Sequence, residues 1–330
     1  MKKILVWLLA AFLLQYAVYD YLDRVVFAPS VAFTQKTIGG SGPVVQSVMY
    51  SYNHSYYSDL SATDLKIYVV RGNRLVKDVS LADNETVSYL SWLPDRNIVL
   101  AGTATDYPTA TTVALLAIDP ETGAKPVTPE IRGMAKGARI EGVAFSTKTN
   151  VTNILVRDVY GTWVWRTDAN NYLRRLNLDD WDINRIASLQ YQDTLLYDDT
   201  VLDSVYAYFY GGRISKIPLG TIGRYALIGT DQNDNVYLGS LDRNDLVTGV
   251  FEGKVNGGFS EIKSITPPAP VNAVTVAVDG TVSVASGYVA PYGVKHERYV
   301  PPPTPVKRPV LPESAIHPLS ETHSGSRTGR

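Results

Sequence analysis

Two short clusters of aspartates are the residues best suited to do chemistry in this chain. Asp179, Asp180 and Asp182 stand in Leu-Asp-Asp-Trp-Asp-Ile-Asn, and Asp198, Asp199 and Asp203 in Tyr-Asp-Asp-Thr-Val-Leu-Asp-Ser. Paired carboxylates roughly 5 to 10 Å apart cleave glycosidic bonds, one as general acid and the other as base or nucleophile. Both clusters fall where turns are expected, however, and acids in turns also serve local hydrogen bonding. Trp181 offers a flat apolar face to a sugar ring. A further candidate ligand-binding spot is His54 with Tyr56 and Tyr57 in Ser-Tyr-Asn-His-Ser-Tyr-Tyr-Ser-Asp. No Gly-x-Ser-x-Gly elbow accompanies His54, so a serine triad lacks its nucleophile and the plain reading is an exposed loop.

Metal and cofactor chemistry finds little support. Asp231, Asn233 and Asn235 alternate as in a calcium loop, with Asp242 at the twelfth position. Val236 stands where such a loop needs glycine, and the twelfth acid should be glutamate. A hairpin turn rich in Asx residues explains the same spacing. The remaining histidines, His296, His317 and His323, lie in or beside the C-terminal tail, and no His-Glu-x-x-His occurs. Zero cysteines exclude disulfides, thiolate zinc sites and thiol catalysis. Neither Walker A nor Gly-x-Gly-x-x-Gly is present, so no cofactor is implied. Lys+Arg 31 against Asp+Glu 32 leaves a net charge of −1 and no electrostatic drive toward nucleic acid.

The elements that must position these residues begin with an address. Lys2 and Lys3 precede an apolar run from Ile4 to Tyr19, broken only by Gln15 and followed by Asp20, Asp23 and Arg24. Sixteen residues at a 1.5 Å rise make about 24 Å, short of a roughly 30 Å hydrocarbon core, and Tyr16, Tyr19 and Tyr21 suit the outer headgroup layer. The nearest cleavage-like triplet, Ser30-Val31-Ala32, follows Pro29 and lies too far from the run. Residues 1–29 therefore read as an uncleaved single-pass anchor, with the rest outside the cytoplasm. Residues 30–43 read as a linker in which Val31–Thr37 is a candidate closing strand, 44–292 as the folded domain, and 293–330 as a proline-rich extended tail.

Strand signals fill the folded domain and helical ones are nearly absent. Val87–Gly102, Ile140–Arg157 and Ile186–Asp199 share one shape: an alternating strand ending in an aromatic (Trp92, Phe145, Tyr191), a polar turn, then a second apolar strand. Tyr225–Ser240 and Val271–Ser286 repeat it with a small residue in the aromatic place. Val44–Asn53, leading to Leu65–Leu81, stands as the first copy. The spacing of about 39 to 53 residues is that of propeller blades. Strand–Asx/Gly turn–strand units such as Thr-Asp-Gln-Asn-Asp-Asn-Val-Tyr-Leu-Gly-Ser resemble the repeats of WD40-like, TolB-like and quinoprotein-like β-propellers, without a Gly-His…Trp-Asp signature. The resemblance implies an all-β propeller of six blades, five or seven being the alternatives, against a rival of two stacked sheets.

The expected role is a membrane-anchored, extracytoplasmic binding or scaffold module for an envelope protein or a polysaccharide, as in envelope-polymer assembly. Alternatives are a propeller glycoside hydrolase or lyase using the aspartates, and a structural surface protein. Tyr 22 against Phe 7 suits half-buried strands, or a tyrosine-lined surface for sugars or peptides.

Overall fold

Short runs rich in Val, Ile, Thr and Tyr, each stopped by Gly, Pro, Asn or Asp, form the strands of an all-β chain. A computed structural model describes residues 49–61, 64–178, 182–220 and 223–285, with Gln15 besides. Sheet 1 holds β1 (Met49–Tyr50), β2 (Tyr56–Leu60), β3 (Asp64–Val69) and β4 (Arg74–Ser80). Sheet 2 holds β5 (Glu85–Trp92), β6 (Val99–Asp106), β7 (Ala110–Asp119) and β8 (Gly123–Pro126), with β9 (Ile131–Ala135) pairing the other half of β7. Sheet 3 holds β10 (Arg139–Ser146), β11 (Val151–Asp158), β12 (Gly161–Thr167) and β13 (Arg174–Arg175). Sheet 4 holds β14 (Ile183–Ser188), β15 (Thr194–Asp199), β16 (Ser204–Phe209) and β17 (Ile214–Lys216). Sheet 5 holds β18 (Tyr225–Thr230), β19 (Val236–Leu241), β20 (Leu246–Gly253) and β21 (Phe259–Pro270). A last pair, β22 (Val274–Val276) and β23 (Val282–Val284), forms sheet 6.

Every sheet is an antiparallel meander in chain order, and the way the sheets pack decides the architecture. Neighbouring residues of one strand point to opposite sides, and here both sides are buried. On β11, Ile154 and Val156 join a core shared with sheet 2, while Leu155 joins one shared with sheet 4. On β15, Leu195 and Tyr197 face sheet 3 and Leu196 faces sheet 5. On β19, Val236 and Leu238 face sheet 4 and Tyr237 faces sheet 6. A fifth core packs Leu60, Leu65 and Ile67 of sheet 1 on Trp92, Val99 and Ile118 of sheet 2. Successive sheets stacked face to face, with sheets 2 to 5 buried on both sides, make a β-propeller arrangement and not two stacked sheets. Each fully buried Leu, Ile or Val contributes roughly 1.5–3 kcal/mol, so an unbroken series of shared cores holds the chain without disulfides.

The repeats named above fall on the first two strands of sheets 2 to 6, with three corrections. Tyr191 does not end a strand: β14 stops at Ser188, and Tyr191 sits in the following turn with its ring 64% exposed. Tyr56 and Tyr57 belong to β2, not to a loop. Asp198 and Asp199 close strand β15 and are buried, where a turn was expected. The anchor apart from Gln15, the linker, the candidate strand Val31–Thr37, Asp179, Asp180, Trp181 and the proline-rich tail lie outside the described residues. Among the described residues no helix is long and apolar enough to cross a membrane.

The meander gives the stack two faces. One carries the links from the second to the third strand of a sheet and from one sheet to the next; we call it proximal. The other, distal, carries the first-to-second and third-to-fourth links. β1 runs into the distal turn 51–55, so the chain reaches sheet 1 from the proximal side. β23 returns from a distal turn, so the chain leaves Ala285 on the proximal side as well.

Candidate functional site

Asp182, the described member of the first aspartate cluster, comes beside the second cluster at the proximal end of sheet 4, where Ile183 pairs with Asp199. Each described carboxylate there is already committed. Asp182 accepts a hydrogen bond from Arg157 at 2.8 Å and another from the Thr200 hydroxyl. Arg157 also pairs with Glu141 at 2.7 Å. Burial works to lower the Arg157 guanidinium, but its two carboxylates outweigh that and hold it above its ordinary value. Asp199 caps the β15–β16 turn, accepting from the amides of Val201 at 2.7 Å and Leu202 at 3.1 Å. Asp203 pairs with Arg224 at 2.7 Å, and Arg224 reaches Asp245 too.

Asp198 is the most unusual of the group. It is 3% exposed and accepts the backbone amides of Asn184 and Arg185. Those two residues form the bulge where β14 breaks register between Ile183 and Ile186. Burial pushes the Asp198 carboxyl up to about 6, against the pull of the Arg185 amide and guanidinium. From the same bulge the Arg185 side chain donates to the carbonyl of Val271 at 2.6 Å and that of Ile228 at 3.4 Å, tying sheet 4 to sheets 5 and 6. Asp182 and Asp203 work as fasteners between sheets, and Asp198 and Asp199 hold backbone within sheet 4.

The weak calcium candidate is also taken up internally. Asp231 Oδ1 accepts the amides of Asn233 and Asn235, both at 2.8 Å, and Oδ2 accepts from the Asn235 side chain at 2.8 Å and the Tyr237 hydroxyl at 3.2 Å. That is an Asx turn whose oxygens already have donors. Among the described residues no cluster of three acids or histidines is placed to hold a metal. His54 is exposed in the β1–β2 turn at φ 57, its ring centroid 5.9 Å from that of Tyr50. Tyr57 stacks on Tyr68 at 5.0 Å, and Tyr56 donates to Glu121 at 3.2 Å.

The surface that sequence reasoning missed lies on the distal face of sheets 3 and 4. Tyr172, Tyr191 and Tyr210 are exposed there, at the links after β12, β14 and β16. Lys148 lies over the Tyr191 ring at 5.9 Å, Arg166 over Tyr210 at 5.9 Å, and Arg213 over Phe209 at 4.2 Å. Arg166 is itself buried and pairs with Asp193 at 2.6 Å, which joins the Tyr210 hairpin to the Tyr191 turn. Tyr191 stands on a rigid base. The Gln190 side chain accepts from the Thr147 amide at 3.1 Å and donates to the Phe145 carbonyl at 3.3 Å. Asp234 of sheet 5 accepts the backbone amides of both Gln190 and Tyr191. Tyr210 is turned outward by Gly211 and Gly212, at φ 96 and φ 94, a left-handed pair that favours glycine. The signal was present in sequence: Tyr172 and Tyr210 adjoin Asn-Asn and Gly-Gly, turn residues that end a strand's burial.

The proximal face carries a different device. An open cleft of about 450 Å³ runs between β9 and the β11–β12 hairpin, lined by Met134, Lys136, Asp158, Val159, Tyr160 and Trp163 among others. Its one carboxylate, Asp158, already accepts the Tyr160 amide at 2.9 Å. None of the predicted acids lines it.

Comparison with known proteins assigns the chain to no family. No family model matches the chain, and no curated protein matches it. Among solved structures it is similar to a chain of a mitotic checkpoint complex at 13% identity (TM-score 0.49, covering 72% of this chain and 70% of that one). It is similar to virginiamycin B lyase from Staphylococcus aureus at 12% identity (TM-score 0.47, 72% and 82%). Similarity to TolB from Acinetobacter baumannii stands at 14% identity (TM-score 0.44, 71% and 55%).

Proposed function

We propose that this protein is an exported propeller, tethered to a membrane through residues 1–29, that binds an envelope polysaccharide on its distal face. The six sheets would then be blades of one ring, with Val31–Thr37 adding a strand to sheet 6. The observation that carries the reading is the distal patch of Tyr172, Tyr191 and Tyr210 beside Lys148 and Arg213. Flat aromatic faces on rigid turns lose little freedom when a ring stacks on them, which is how tyrosine serves binding surfaces. Arg166 pairs with Asp193 at 2.6 Å and more loosely with Asp168 at 4.0 Å, and Lys148 and Arg213 are the further cations through which the patch would meet an acidic glycan. Among the described aspartates, Asp182 and Asp203 bond neighbouring sheets, Asp199 a turn and Asp198 the β14 bulge of its own sheet, which favours structural roles over hydrolysis.

The test is affinity electrophoresis of the full-length protein in detergent, through gels containing polygalacturonate or neutral dextran. Retardation by polygalacturonate, with roughly tenfold weaker binding for each of Tyr191→Ala and Tyr210→Ala, is expected. Unretarded migration in both gels sinks the glycan reading. Crosslinking in native membranes that recovers one defined envelope protein would replace it with a protein scaffold.

A further inference from the structure

The proximal face exposes aliphatic side chains at hairpin tips, and they recur. The second-to-third-strand hairpins of sheets 2, 3 and 4 present Tyr107 (50% exposed), Val159 and Tyr160 (71% and 51%), and Val201 and Leu202 (44% and 56%). In sheets 3 and 4 the same device holds the tip: an aspartate at the strand end accepts amides from the tip residues, Asp158 from Tyr160 and Asp199 from Val201 and Leu202. Sheet 5 uses the device too, with Asp242 accepting from Asn244 at 2.8 Å, but there the tip reads Asp242-Arg243-Asn244-Asp245. The turn chemistry therefore does not demand apolar tips. Sheets 3 and 4 nonetheless carry them, largely exposed.

We infer that this crescent of tips rests in the interfacial layer of the bilayer to which the chain is tethered. The inference depends on the membrane tether proposed above. Three further observations point to lipid as the occupant. The described chain enters sheet 1 at Met49 from the proximal side, so the residues that carry the Ile4–Tyr19 run join the sheets at this face. Three acids near the tips are paired with a guanidinium, Asp106 with Arg139 at 2.7 Å, Asp182 with Arg157, and Asp203 with Arg224, although Arg157 also serves Glu141 and Arg224 also serves Asp245. These pairs lessen the repulsion that free carboxylates would meet at an anionic leaflet. Lys136, exposed beside Val159 and Tyr160 at the cleft, supplies a cation at headgroup level, and tyrosines favour that layer. The distal tyrosine patch is then turned away from the membrane, toward the rest of the envelope.

The chain has no cysteine, which makes the test direct. Val159→Cys, Leu202→Cys and Tyr191→Cys are each labelled with a polarity-sensitive dye in the full-length protein. The protein is then reconstituted in vesicles of phosphatidylglycerol and phosphatidylethanolamine containing lipid-borne spin labels. Dyes at 159 and 202 should shift to the blue and be quenched at least threefold more than the dye at 191. Equal quenching at all three positions overturns the inference. A blue shift at 159 and 202 without lipid quenching also overturns it and assigns the face to a second copy of the chain. Alkaline carbonate washing reports on the tether separately. Protein that stays bound while its tips go unquenched keeps the tether and loses the seat, and protein that washes off with quenched tips keeps the seat and loses the tether.

Discussion

The two faces of the stack solve the same problem with different chemistry. On the proximal face, neighbouring sheets are fastened by arginine–carboxylate pairs: Arg139 with Asp106, Arg157 with Asp182, and Arg224 with Asp203 and Asp245. On the distal face, the Arg166–Asp193 pair also joins sheets 3 and 4, and beside it Gln190 and the Asp234 carboxylate link sheets 3, 4 and 5 by holding loop backbone in place. The exposed side chains differ in step. Apolar tips, Val159 with Tyr160 and Val201 with Leu202, stand among the ion pairs, and Tyr191, with Lys148 over its ring, stands on an amide-bonded loop. Fastening by ion pairs leaves hairpin tips free to be apolar, whereas fastening through loop amides fixes the loops themselves as platforms. The first suits a surface that rests on something, the second one that grips.

The largest effect should come from breaking the distal fastening. Asp234 is 6% exposed, holds two backbone amides of the neighbouring sheet and sits at φ 60. Asp234→Ala leaves those amides without an acceptor and puts alanine in a left-handed conformation. A loss of about 3 kcal/mol is expected, or roughly 6–10 °C in thermal midpoint. Glycan retardation should fall with it even below the midpoint, because Tyr191 loses its base. Unchanged retardation would mean that the patch does not depend on this platform.

How much of this was legible in the chain follows from how local each signal is. Inner strands such as β6 and β11 are buried on both sides, so Val-Leu-Ala-Gly-Thr-Ala and Val-Thr-Asn-Ile-Leu-Val read as continuous apolar runs and the repeat shows through. β2 was lost because Tyr-Tyr-Ser-Asp-Leu carries a turn-like composition, and its strand character comes from pairing with β3. Asp198 looked like a turn acid because its partner is a bulge that no local pattern announces. The tyrosine patch was legible only as a surplus of tyrosine. Which rings gather on one face is set by Arg166 and Gln190 bridging sheets, and sequence spacing does not encode that.

A middle-sized effect isolates the acid that belongs to neither style of fastening. Asp198 places a carboxylate in the interior, where it accepts backbone amides, and its rise from 3.8 to about 6 corresponds to on the order of 2–3 kcal/mol. Between those values the folded chain keeps a proton that the unfolded chain has lost. Stability from this group is therefore full below about 3.8 and declines as pH rises through about 6. Asp198→Asn keeps an acceptor for the Asn184 and Arg185 amides and removes the buried charge. It should raise the denaturation midpoint at pH 7.5 by about 2 kcal/mol and leave it little changed at pH 4. Equal shifts at both pH values would show that the carboxyl is not desolvated as described.

The smallest effect sharpens the contrast most directly. Arg224 draws its hold on Asp203 and Asp245 from a partly exposed cluster, and its side-chain hydrogen bond to Asp203 leads in raising it above its ordinary range. Partly exposed pairs give about 1 kcal/mol and weaken as salt shortens the Debye length. Arg224→Met keeps the apolar stem and removes the charge, so it should cost about 1 kcal/mol at low salt and about half of that in 1 M sodium chloride. Gln190→Met, which removes an uncharged side chain that bonds backbone amide and carbonyl on the distal face, should cost the same at both salt concentrations. If both variants respond alike to salt, the faces are not fastened by different forces, and the reason for apolar tips on one and tyrosines on the other must be sought in their partners alone.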